Sequence, residues 1–111
     1  MITVEKSRFG TFTGSAGVLY ACPANAEAKV SVLSGEEVSG TSVLITIQVY
    51  VQSEDDTFVI FKGRSLPVVF YEHPIILQPG DRIEVSAAGT SPEIDAMVTV
   101  QEIYKPRNAM G

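Results

Sequence analysis

Apolar and polar residues alternate in short runs along this chain, most clearly from Val43 to Val51. Val43, Ile45, Ile47, Val49 and Val51 take every second position, and Thr46, Gln48 and Gln52 point the other way. A period of two puts one set of side chains on one face of an extended backbone, which predicts a half-buried strand. Leu44 and Tyr50 fall on the second face, so this strand is expected at the centre of a sheet, or covered there by another layer or subunit. Ile83, Val85 and Ala87 alternate with Arg82, Glu84 and Ser86 just after the turn signal Pro79-Gly80-Asp81, which predicts a second strand. Further runs are Ile2–Glu5, Phe9–Thr13, Val18–Ala21, Lys29–Leu33, Phe58–Phe61, Val68–Tyr71, Ile75–Gln78 and Met97–Tyr104.

The segments between these runs are polar or rich in Gly and Pro: Ser34–Glu37, Ser53–Asp56, Lys62–Ser65 and Ala88–Pro92. Turn chemistry at this frequency favours an antiparallel arrangement over a doubly wound one. The fold class is therefore all-β, a single antiparallel β-sandwich or jelly-roll-like domain of about eight short strands. Pro23–Lys29 is the sole helical candidate, and seven residues make a loop or single turn rather than a helix. One domain is expected over residues 1–105, with 1–8 either an N-terminal arm or the start of an edge strand. Residues 106–111 begin with Pro106 and lose the alternation, as a flexible C-terminal tail would.

With 111 residues the chain has room for one core and not two. Size scaling lets a chain this long bury about 65% of its extended surface, enough to fold without metal or disulfide staples. A 45% hydrophobic, 19% charged composition excludes global disorder. The net charge is −5 and the eight Lys and Arg are scattered singly, so no converging cationic face for nucleic acid is expected. Cys22 is the one cysteine, which excludes an internal disulfide. Met1–Lys6 has no signal-peptide pattern and no apolar run is long enough to span a bilayer, so a soluble, cytosolically made chain with no membrane partner is expected.

Candidate chemistry is sparse. The one histidine, His73, sits between Glu72 and Pro74 with no nucleophile motif beside it, and reads as a bend between strands. Cys22 follows the apolar run Val18–Ala21 with no cation near it in sequence, and reads as a small buried filler. Glu54-Asp55-Asp56 lacks the spaced ligands and closing Glu of a calcium loop, so it reads as a solvated turn. Asp81 can bond its own turn backbone, and Glu93 and Asp95 read as structural. Gly10, Gly14 and Gly17 match no phosphate-loop spacing. No catalytic residue, metal ligand or cofactor is assigned, and the chain is read as a non-enzyme.

The segment Tyr20–Val30, with Cys22-Pro23-Ala24 at its turn, is followed by the long alternating strand. Ile76–Val85 then carries Leu77-Gln78-Pro79-Gly80-Asp81, and the last strand runs from Met97 to Tyr104. This order resembles a group of small tailed-bacteriophage virion proteins over roughly residues 18–104. Cys22 stands where that pattern has an apolar β-branched residue, and Glu102-Ile103-Tyr104 reverses its final Tyr and Glu. The resemblance implies a compact β-sandwich acting as capsid decoration or cement, or as accessory head or tail structure. Its implied partners are the major capsid protein and copies of the chain itself, as a homotrimer at three-fold positions. Its implied location is the capsid surface of a virion, after synthesis in the host cytoplasm.

The docking elements expected from this reading are the N-terminal segment with Ile2, Val4, Phe9 and Phe12, and the C-terminal segment with Tyr104 and Arg107. Edge strands and chain ends can extend a neighbour's sheet through main-chain bonds. Two other readings remain open: a carbohydrate- or receptor-binding module of a tail or fibre using the loops 54–56 and 62–65, and an internal tail or neck component.

Overall fold

The computed structural model describes residues 2–38, 40, 42–65, 68–70 and 75–104. Within them nine strands form, in chain order β1 (Ile2–Phe12), β2 (Gly17–Ala21), β3 (Ala26–Glu37), β4 (Val43–Val51), β5 (Asp56–Ser65), β6 (Val68–Phe70), β7 (Ile75–Leu77), β8 (Arg82–Gly89) and β9 (Ile94–Tyr104). All pairings are antiparallel. One sheet runs β1-β9-β3-β6, with β7 also on β3, and the other runs β2-β8-β4-β5. First pairs with last and second with penultimate, while the third and fourth strands lie inside. That is the double Greek key of a jelly roll, the all-β class the alternation predicts.

The core lies between the sheets and is built from the period-two faces. Val43, Ile45, Ile47 and Val49 of β4 and Ile83, Val85 and Ala87 of β8 meet Ala28, Val30 and Leu33 of β3 and Ile94, Ala96, Val98 and Val100 of β9. β4 lies between β8 and β5, the central place its two-sided apolar pattern predicts. Leu44, on its outer face, is exposed.

Four bulges adjust the faces. The register slips between Val30 and Val32 on β3, so Val30 and Leu33 both point inward. It slips between Val18 and Tyr20 on β2, which lets neighbouring Leu19 and Tyr20 both be buried. On β5 one extra residue falls at Ile60 and another around Gly63, whose φ of +58° suits glycine and whose amide bonds to the Thr46 hydroxyl at 3.1 Å.

The strands are longer than the sequence runs suggest. Ile2–Glu5 and Phe9–Thr13 merge into β1, because Lys6 faces inward onto a buried carboxylate instead of ending the strand. Residues 2–8 pair with β9 along their whole length as part of β1. Ser34–Glu37 and Lys62–Ser65, expected as connections, lie in β3 and β5. Gly35 is buried opposite Ala96, a fit for two small residues that local polarity conceals. The bend at His73 and the tail 106–111 lie outside the described residues.

Asp81 ties two turns together. It is buried, and its carboxylate accepts the Gln78 amide at 2.8 Å within its own turn and the Gln52 amide at 3.0 Å from the β4–β5 turn. The first contact is the one the Pro-Gly-Asp spacing predicts; the second comes from the fold.

Candidate functional site

β1 forms one border of its sheet and pairs with β9 in unbroken register from Ile2↔Tyr104 to Phe12↔Ile94. Its even-numbered residues share the inward face of Val98, Val100 and Glu102, and its odd-numbered residues face outward. On the outer face the Ser7 and Thr99 hydroxyls are 2.9 Å apart and Thr11 donates to Asp95 at 2.7 Å.

The residues expected to dock divide by this geometry. Phe9 points outward and is 75% exposed, while Ile2 and Val4 are 66% and 38% exposed on the inward side of the far end. Tyr104 lies directly across from Ile2, so Ile2, Val4 and Tyr104 gather at one end and Phe9 stands apart. Phe12 is buried. Its even position turns it inward, where it joins Leu19 in the core. Arg107 lies outside the described residues.

Under this border lies a polar centre that sequence reasoning did not single out. Glu102 is 1% exposed. Its Oε2 accepts the Tyr20 hydroxyl at 2.5 Å, and its Oε1 accepts the Tyr104 hydroxyl at 2.6 Å and meets Lys6 Nζ at 2.9 Å. Burial pushes the carboxyl pKa up. The hydrogen bonds from Tyr104, Tyr20 and Lys6, with the Lys6 charge, outweigh that and hold it below the usual range. Burial and then the bond to Glu102 push Tyr20 far up, and the same bond raises Tyr104. The signal for Glu102 is its parity, for it continues the inward series Val98, Val100 of β9.

Cys22 is buried as expected, with its thiol donating to the Ala26 carbonyl at 3.3 Å and near the Leu77 carbonyl at 3.7 Å. Burial, then the negative charge of Glu102, pushes it up to about 11. A thiol so placed is protonated at neutral pH and poor as a nucleophile.

The outer face of the other sheet carries an ordered polar chain. Tyr50 donates to Asp55 at 2.6 Å, Arg82 lies 4.1 Å over the Tyr50 ring, and Glu84 accepts both Arg82 at 3.3 Å and Gln48 at 2.8 Å. Arg82 therefore occupies one face of the ring that a sugar would stack on. Among the described residues no three His, Cys, Asp or Glu side chains form a group able to hold a metal.

No protein-family model and no curated protein matches the sequence significantly. Solved structures share the fold. A chain in the structure of infectious bursal disease virus, Gx strain, superposes with a TM-score of 0.54 at 13% identity over 96% of this chain, which spans about a third of that longer chain (32%). A chain of the acid-stable capsid of Helicobacter pylori bacteriophage KHP30 gives 0.54 at 10% identity and is covered end to end, 95% of each chain. A subunit of Bacillus endospore appendages, described as disulfide-linked pili, gives 0.51 at 15% identity over 94% of this chain and 88% of that one. The jelly roll is thus shared with chains of viral and phage capsids and of a pilus.

Proposed function

We propose that this chain is a non-enzymatic structural protein of a virion, a decoration or cement subunit that binds the major capsid protein lattice. The observation that carries the reading is the end-to-end likeness to a phage capsid chain, with 95% of each chain covered. Jelly rolls serve as capsid domains and as lectins. The border of β1 favours the former, with Ile2, Val4 and Phe9 exposed along one sheet border. Contacts made only in the assembled shell would stabilise it as any ligand stabilises the state it binds. The assembled form proposed is a homotrimer at three-fold positions of the capsid surface.

A pilus-like role is less well supported, because the appendages are disulfide-linked and Cys22 is buried inside its own domain. The carbohydrate-binding reading has Tyr50 partly covered by Arg82 against it. Mass spectrometry of virions purified from the virus that encodes the chain tests the proposal: a copy number comparable to the coat protein is expected, and absence from intact virions overturns it. Light scattering coupled to size exclusion tests the trimer separately.

A further inference from the structure

The jelly roll has four sheet borders, and three of them are blunted against strand addition. β2 is five residues long and bulged, β6 and β7 are three residues each, and β5 is kinked by the bulge at Gly63. β1 is eleven residues long, unbulged, and paired only with β9 among the described residues. Its second row of backbone donors and acceptors has no strand partner there, which is the geometry that takes up an additional strand.

A second copy of the chain is the obvious occupant, and the charges on β1 oppose it. A two-fold axis through an antiparallel pair keeps each side chain on its own face, so residues of like parity meet. Centred on Glu5 the axis sets Glu5 against Glu5, and centred on Lys6, Lys6 against Lys6. Centred on Ser7 it sets Lys6 against Arg8 twice, and centred on Arg8, Arg8 against Arg8. Like charges directly opposite are unfavourable, so these four registers are penalised, those of Lys6 less because Glu102 offsets its charge. The Phe9-centred register escapes the penalty but pairs only residues 6–12 and sets Lys6 against Phe12.

We propose that the free border of β1 is a docking edge for an extended segment of a different chain, with a carboxylate opposite Arg8, a cation opposite Glu5 and an apolar side chain beside Phe9. Arg8, Glu5 and Phe9 are all exposed, and neither charged side chain has an ion pair among the described residues. Backbone pairing supplies affinity, and the alternating charges select the partner while rejecting self-association. This deepens the virion reading by naming the kind of coat segment to be bound, but it stands on the border itself and is tested without a capsid.

Two measurements decide it. Arg8→Glu turns the Ser7-centred register into two Lys6–carboxylate pairs. Sedimentation should show this variant doubling the mass of whatever species the wild type forms, at about tenfold lower concentration and reversibly with salt. The second uses a blocked synthetic peptide that sets Phe, Glu, Asp and Lys opposite Phe9, Arg8, Lys6 and Glu5. Titrated into the wild-type chain, it should slow amide exchange in β1 and no other border, and R8E should weaken it about tenfold. An R8E variant with unchanged mass, a peptide that leaves β1 exchange unaltered, or one that protects β2 or β5 instead overturns the proposal. None of these results bears on whether the chain is found in virions.

Discussion

Phe12 closes over Gly10: a Cβ at position 10 would stand 3.0 Å from Cε2 and Cζ of the ring. Gly17 on β2 bounds the same ring, where a Cβ would stand 3.0 Å from Cε1. Neither glycine lies in the left-handed region, so what each supplies is space. Two glycines that could be taken for loop residues therefore form a slot, and the slot seats the aromatic that pins β1 to the other sheet. Gly10→Ala and Gly17→Ala should each destabilise by about 1–3 kcal/mol, as overpacking does. Combined with Phe12→Leu the loss should be smaller than additive. Urea midpoints with unchanged m-values would show this; a neutral G10A beside an intact Phe12 would refute the slot.

How much of this was legible follows from where each constraint originates. The β4 face was readable because the period of two is local, and so was the Asp81 turn. Bulges at Leu19 and Gly63 were not, since a bulge is defined by the partner strand and not by its own residues. Phe9 and Phe12 looked equivalent in sequence; their opposite parity separates them once the register with β9 is known. Glu102 carried the parity of Val98 and Val100, yet what makes a buried carboxylate tolerable is Lys6 at the other end of the chain. The two docking candidates were grouped by segment, yet Phe9 is exposed and Phe12 buried, because segment membership says nothing about face.

The Glu102 centre should dominate the acid stability of the fold. Its pKa is depressed in the folded state, so the unfolded chain binds the proton more readily. The stability it contributes is fully present above the ordinary carboxylate pKa and is lost as pH falls through the lower folded value. Glu102→Gln should flatten this acid limb. Glu102→Ala, which strands Lys6 and two hydroxyls, should cost up to about 3–5 kcal/mol. Chemical denaturation at a series of pH values distinguishes these outcomes; an E102Q acid limb as steep as wild type would show that other carboxylates set it.

Cys22 should behave as a masked thiol. Its pKa of about 11, against 9.0 for an unburied thiol, means the unfolded chain ionises first as pH rises. The folded state is then favoured by this group below pH 9 and loses that contribution as pH rises towards 11. Alkylation of the native chain at neutral pH should proceed only through unfolding, at a rate that climbs with denaturant. Rapid labelling without denaturant would contradict the burial.

Removing residues 1–8 should unsettle the domain as well as its docking edge. The segment supplies most of β1, shields β9 from becoming a sheet border, and carries the Lys6 charge on Glu102. The Tyr20 and Tyr104 hydroxyls would still bond the carboxylate, so the loss from the missing cation alone should resemble Lys6→Met, about 1–3 kcal/mol. Exposing a long β9 border adds an aggregation hazard that Lys6→Met lacks. The truncated chain should therefore melt below K6M and associate irreversibly on heating, while K6M stays reversible. Equal melting temperatures and equal reversibility would mean that β1 contributes little beyond its lysine, and would leave docking as its main role.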